Sequence, residues 1–173
     1  MLSDTRWSAR ADATKSVFSN YPEILKALIA IKTDTTQNPE TRLTADGLIR
    51  QMEQLDTALM TIIWHTILER FNATSLCLQK VDIDLLNVVK LYNSLISFLL
   101  DTRDTFDDIE EKAKAFVAIN EYKDANKRKK RRKQFLDECT TPDANLELSA
   151  RDNFRIHTFY SIVDCLTVEF ASG

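Results

Sequence analysis

The scarcity of glycine and proline is the feature that most constrains the fold of this chain. Its 173 residues contain two glycines, Gly47 and Gly173, and three prolines. An all-β sandwich or barrel needs many tight turns, which glycine and proline supply. Phosphate-binding loops need several glycines close together. The sequence therefore argues against both, and we expect a helical protein with long elements.

Apolar spacing predicts an all-α, antiparallel bundle of about five or six helices. We expect helices over residues 5–19, 22–33, 40–79, from an N-cap at Asp82 to about 120, and from an N-cap at Ser149 to about 170. The strongest repeat steps by 4, 3, 4 and 3 residues, which places one apolar stripe along a helix that we expect to bend near Gly47. It consists of Leu48, Met52, Leu55, Leu59 and Ile62. A short link after residue 79 favours antiparallel packing of the next helix.

Charge divides the chain into a body and one basic segment. The whole chain has 23 basic and 26 acidic residues, for a net charge of -3. Seven of the cations are consecutive, and without them the body carries 16 basic and 26 acidic residues. They are Lys127, Arg128, Lys129, Lys130, Arg131, Arg132 and Lys133. We therefore expect a helical domain at 1–121, a disordered basic loop at 122–148 and a C-terminal helix at 149–173 that packs on the bundle.

The basic segment has three interpretations. An extended run of cations is typical of a nuclear-import signal, read by the acidic groove of an import receptor. The same cations would also bind nucleic-acid phosphates in a salt-dependent way, or they would form a solvated loop without a partner. We favour import and expect a nuclear protein.

Signals for catalysis, metal binding and membrane insertion are weak in this sequence. The two histidines, His65 and His157, lie far apart, and the three cysteines form no CxxC motif. Neither pattern has the spacing of a zinc site. No serine or cysteine lies in a recognisable nucleophile elbow, and no apolar stretch is long enough to cross a bilayer. We expect no cofactor, no metal site, no membrane contact and no enzymatic activity.

An aromatic residue beside a cation opens the first predicted helix. Arg6 and Trp7 together could contact nucleic acid, since an indole ring stacks on bases and a guanidinium binds phosphate. The alternative is that Trp7 anchors the first helix to the core, and the residues alone favour this alternative.

Four ordered segments resemble the hAT-superfamily transposases, and in particular the transposon-derived proteins of the zinc finger MYM-type and THAP-type repressor groups. These segments are residues 2–10 (LSDTRWSAR), 64–71 (WHTILERF), 99–104 (LLDTRD) and 154–164 (FRIHTFYSIVD). The resemblance covers nearly the whole chain outside residues 123–147.

The resemblance implies that the chain is a fragment. In hAT transposases, an all-helical insertion interrupts a ribonuclease-H-like fold whose Asp-Asp-Glu site binds the catalytic metals. The chain resembles that insertion, so the resemblance places the catalytic carboxylates outside it. Trp7 matches the tryptophan associated with flipped bases at the transposon end, and Arg6 would accompany it.

We therefore expect a non-catalytic helical fragment of a hAT transposase-like nuclear protein, with a DNA-end-binding or protein-interaction role in the parent. The alternative is a free-standing α-helical interaction module that binds partner helices or a second copy of itself. The surface distinguishes the two hypotheses. An accessory domain should expose an apolar patch and Trp7, whereas a self-sufficient bundle should bury both.

Overall fold

The protein is an all-α helical bundle. The computed structural model describes residues 5–80, 83–118, 120–123 and 148–171, and these residues contain no β-strand. Their eight α-helices, in chain order, are α1 (Thr5–Ser19), α2 (Tyr21–Thr33), α3 (Pro39–Met52), α4 (Leu55–Leu78), α5 (Leu85–Thr102), α6 (Phe106–Lys114), α7 (Ala150–Phe154) and α8 (Ser161–Ala171). The all-α prediction is confirmed.

The predicted helix over residues 40–79 is two helices. The chain continues as a helix through Gly47, where we expected a bend, and this helix ends at Met52 before α4 begins at Leu55. At the break Gln54 adopts an extended conformation with ψ 135°. The Tyr21 hydroxyl donates a 2.7 Å hydrogen bond to the Met52 carbonyl at the end of α3. This contact comes from α2, so the apolar repeat of α3 and α4 alone could not reveal the break.

The predicted helix that ends near residue 120 is also interrupted. Asp84 caps the start of α5 by accepting a 2.7 Å hydrogen bond from the amide of Asn87. The expected cap, Asp82, lies outside the described residues. Helix α5 ends at Thr102, and a 3-10 turn (Arg103–Thr105) leads into the shorter α6. The apolar periodicity continues across this turn, which is why the sequence predicted one helix.

The last helix begins where the sequence predicts. The Ser149 hydroxyl accepts a 3.0 Å hydrogen bond from the amide of Asp152, which is the geometry of an N-cap. Between α7 and α8 the helix widens into a π-helical stretch (Arg155–Tyr160). Such single-turn π segments insert extra residues into a helix and re-aim the side chains that follow.

Neighbouring helices pack antiparallel. The Trp7 ring at the start of α1 contacts Phe71 late in α4, whereas Phe18 near the end of α1 stacks on the earlier His65. Helices α4 and α5 likewise run in opposite directions, as the short link predicts. Helix α8 packs against α5, with Phe170 near Tyr92 and Asp164 paired with Arg103.

The core is centred on α4, whose buried side chains face α1, α5 and α6, while its Phe71 also meets Phe170 of α8. Tyr21 and Phe159 are fully buried against this helix bundle, as are several aliphatic side chains. The large fully buried aliphatic residues are Leu55, Leu59, Ile63, Ile67, Leu99 and Val163. Burying a large aliphatic side chain contributes about 1.5–3 kcal/mol, so α4 is the element on which the other helices depend.

Candidate interaction surface

Trp7 is both an anchor and an exposed group. Its ring meets Phe71 edge to face, with 5.6 Å between centroids and an interplanar angle of 78°. The residue nevertheless remains 42% exposed. The guanidinium carbon of Arg10 lies 5.8 Å from the centroid of the indole, one helical turn further along α1. The predicted anchoring role therefore describes one part of the side chain, and the remaining indole surface is open to a ligand.

The exposed part of Trp7 borders a cavity of about 260 Å³. Aromatic rings from three other helices line the same cavity, namely Phe71 of α4, Tyr92 of α5 and Phe170 of α8. Phe71 and Phe170 also meet edge to face at 5.0 Å. The first helix and the last helix therefore present aromatic groups at one place on the molecule, although they are far apart in the sequence.

A larger apolar surface continues from this cavity along α5. We define the α5–α8 surface as Leu85, Val89, Tyr92, Ile96 and Phe170. The first three are 78%, 48% and 41% exposed, respectively. Steps of 4, 3 and 4 place the α5 residues on one flank of that helix. A second cavity of about 660 Å³ lies along this flank and reaches the end of α8. The result is a largely apolar surface at the meeting of two helices, with Asn93 and Glu169 among its polar neighbours.

The wide apolar arc of α5 explains why this surface stays exposed. Leu95 and Leu99 are buried in the core, whereas Val89 and Tyr92 lie on the solvent side of the α5–α8 packing. A helix that packs on one side of a bundle needs a single apolar stripe. The sequence of α5 carries apolar residues over a wider arc, and this excess was the available signal for an interaction surface.

Carboxylates and cations form one buried polar cluster, on α6. Glu110 is 6% exposed and accepts hydrogen bonds from the Tyr122 hydroxyl at 2.6 Å and from Arg151 Nε at 2.9 Å. Lys114 adds an ion pair at 3.2 Å. Burial acts to raise the pKa of Glu110, but these hydrogen bonds outweigh it and hold the pKa below its usual value. Burial and the contact with Glu110 raise the pKa of Tyr122.

The Glu110 cluster is a structural junction rather than a group of ligands. Each carboxylate oxygen of Glu110 already accepts from a protein donor. Burial also raises the pKa of Asp56, a half-buried carboxyl at the start of α4.

Among the described residues, no group of three or more His, Cys, Asp or Glu side chains is arranged to hold a metal ion. No helix within the described ranges is long and apolar enough to span a membrane.

The remaining predicted site residues fall outside what the structure describes. The backbone of Arg6 belongs to α1, but its side chain is not among the described groups, so its predicted contact with nucleic acid stays a prediction. The seven basic residues from Lys127 to Lys133, together with most of the predicted loop, lie within the undescribed segment 124–147. The structure therefore places Trp7 alone among the predicted site residues.

Comparisons with known proteins do not assign a family to this chain. A scan against protein-family models, a search of curated proteins and a search of solved structures each found no match. The geometry of the exposed surface therefore carries the functional argument.

Proposed function

We propose that this chain is a non-catalytic helical module of a hAT transposase-like, transposon-derived nuclear protein. In this proposal, the α5–α8 surface docks on the ribonuclease-H-like core of the parent protein. The supporting observation is the exposed apolar flank of α5 beside the half-exposed Trp7. Contiguous exposed apolar surface of this kind marks interaction sites in soluble proteins.

Trp7 links the proposed docking surface to a proposed DNA contact. Trp7, Tyr92 and Phe170 line the same cavity, so the indole borders the α5–α8 surface. A core docked there would hold DNA close to an aromatic ring that already has a cation, Arg10, beside it. Base stacking on an aromatic side chain is worth about 1–3 kcal/mol per base. We propose that Trp7 contacts the DNA end in the assembled parent.

A second candidate function is a free-standing interaction module. The fully buried Tyr21 and Phe159 favour it, because they show that the bundle closes a core of its own. In this case the α5–α8 surface would bind an amphipathic partner helix in the manner of helix-in-groove recognition. Both functions use the same surface and differ in the partner.

Charged substitutions on the α5–α8 surface test the first proposal. The chain is titrated with a separately expressed ribonuclease-H-like core of a hAT transposase, and the complex is followed by sedimentation velocity. We expect binding that the double variant Leu85→Glu, Val89→Glu weakens by at least about tenfold, because docking would bury two charges in an apolar contact. Leu43 of α3 is 73% exposed and far along the chain from this surface, so Leu43→Glu is the matched control.

The outcomes separate the two functions. Loss of binding in the double variant, with binding retained in Leu43→Glu, supports docking on the catalytic core. Equal binding by wild type and double variant, or no binding by the wild type, contradicts it. Binding of amphipathic helices at this surface without any binding of the core favours the free-standing module instead.

A further inference from the structure

The groove between α4 and α5 is lined by lysines, whereas the α5–α8 surface is defined by apolar side chains. It encloses about 710 Å³, within the range of about 300–1,000 Å³ that is typical of ligand sites. Its lining residues are Cys77, Lys80, Ile83, Asn87, Lys90, Leu91 and Ser94. Positions 87, 91 and 94 lie on α5 roughly half a turn away from positions 85, 89 and 92. The groove is therefore a separate surface, on the other side of the same helix.

The described cations at this groove lack carboxylate partners. None of the ion pairs among the described residues involves Lys80, Lys90 or Arg70. Of the other described lysines, those at positions 15, 26, 32 and 114 each pair with an acidic side chain, whereas Lys112 and Lys123 form no ion pair among the described residues. The described lining of the groove includes Lys80 and Lys90 and no acidic side chain, so the lining carries positive charge although the body of the chain is acidic.

Arg70 extends this cationic character below the groove. Its Nη2 donates a 2.6 Å hydrogen bond to the hydroxyl of Ser94, which itself lines the groove. The guanidinium also lies 5.7 Å from the centroid of the Phe98 ring, and its Nε is buried without a hydrogen-bond partner. A buried guanidinium N–H without a partner is unfavourable. A carboxylate bound near Ser94 would be attracted by the positive charge of this guanidinium.

The lining identifies the class of ligand. Ile83 and Leu91 offer aliphatic surface, and no aromatic side chain is among the described lining residues. Single-stranded nucleic acids bind through aromatic stacking platforms in addition to cations. Aliphatic side chains flanked by lysines instead match a helix with leucines on one face and carboxylates beside them. We propose that the α4–α5 groove binds an acidic, amphipathic helical segment of a partner protein, independently of the function proposed above.

A set of peptides tests this assignment on the full chain. The probe is a Leu/Glu amphipathic helix of about four turns, labelled for fluorescence anisotropy, and its comparison peptide has every Glu replaced by Gln. We expect the Glu peptide to bind at least about tenfold more tightly than the Gln peptide, since the lysines attract carboxylates. The double variant Lys80→Glu, Lys90→Glu should weaken binding of the Glu peptide by a similar factor.

A matched variant controls for net charge. Lys26 and Lys112 are exposed lysines on α2 and α6, and Lys26→Glu with Lys112→Glu changes the chain's charge by the same amount. We expect this control to bind the Glu peptide within about twofold of the wild type, because screened charges outside the groove contribute little.

Cys77 reports the position of the peptide. In the background Cys139→Ser, Cys165→Ser it is the remaining thiol, and it lines the groove. Saturating Glu peptide should slow its alkylation by N-ethylmaleimide at least about threefold if the peptide covers the groove.

The results overturn the proposal in any of four cases. These are no binding of the Glu peptide, equal binding of the Glu and Gln peptides, equal weakening by the two double variants, and unchanged alkylation of Cys77. Binding of a labelled single-stranded oligonucleotide that depends on Lys80 and Lys90, without binding of the Glu peptide, would assign the groove to nucleic acid instead.

Discussion

Arg151 and Glu110 join two parts of the chain that are 41 residues apart, with 2.9 Å between Arg151 Nε and Glu110 Oε2. Arg151 lies at the start of the last helical segment, and Tyr122 reaches the same carboxylate from the other side of the undescribed segment 124–147. A single buried carboxylate thus holds both ends of the segment that carries the basic run.

Replacing Glu110 by Gln should destabilise the fold in a pH-dependent way. The loss of charge-assisted hydrogen bonds at a buried site is expected to cost about 1–3 kcal/mol near neutral pH. The pKa of Glu110 is lowered in the folded state, so its stabilisation is present above the usual glutamate pKa and is lost as the pH falls through the folded-state value. Urea unfolding of both proteins across the acidic range measures the difference. A stability difference that stays constant as the pH falls would contradict this role.

Replacing Tyr21 by Phe should lower the free energy of unfolding, because it removes a hydrogen bond at the break between α3 and α4. The Tyr21 hydroxyl is the donor to the Met52 carbonyl at 2.7 Å, and burial of this side chain raises its pKa to about 12. Removal of the hydroxyl leaves that carbonyl without this donor, at an expected cost of about 1–2 kcal/mol. Urea denaturation provides the measurement. The control is Tyr92→Phe at a 41% exposed position, where the free energy of unfolding should remain within about 0.5 kcal/mol.

Replacing Gly47 by Ala should stabilise the protein. Gly47 lies inside α3, and a methyl group added there meets no atom within 4 Å. Alanine has a smaller entropic cost than glycine in a helix, so we expect a gain of about 0.5–1 kcal/mol. Thermal unfolding followed by circular dichroism would measure it. A lower melting temperature would contradict this prediction.

Trp7 should respond to DNA. In a Trp64→Phe background the emission of Trp7 is measured while hairpin DNA is added. We expect quenching as the 42% exposed indole stacks on a base, and an increase in the apparent Kd with salt because cations such as Arg10 contact phosphate. A flat signal over a full titration would remove the DNA role of Trp7 and leave its packing on Phe71.

Replacing residues 129–132 by alanine should abolish nuclear accumulation of a tagged chain. Four of the seven consecutive cations would then be missing, and an acidic receptor groove would lose its main contacts. Fluorescence microscopy of the tagged protein compares the two forms. The control replaces four exposed residues of α2 and α3 with alanine, and it should not alter the distribution. Unchanged nuclear accumulation in the 129–132 variant would rule out the import role.

Local signals made most helices predictable from the sequence. The first two predicted helices agree with α1 and α2 to within one residue. Ser149 caps the last helical segment as expected, since a cap depends on a few adjacent residues. The short link after residue 79 also indicated the antiparallel pairing of α4 with α5. These features follow from neighbouring positions in the chain.

Contacts between distant residues decided what the sequence left open. The apolar repeat runs unbroken through the break after Met52, and the contact with Tyr21 at that break comes from a different helix. Likewise, the exposed fraction of Trp7 cannot be predicted from the apolar periodicity of α1. It depends on the contact with Phe71 and on how closely α8 approaches. Helix formation is governed by spacing and caps along the chain, whereas burial is governed by which helices meet. The amino-acid sequence thus determined the helical class by itself, and only the tertiary structure decided which apolar surfaces remain available to a partner.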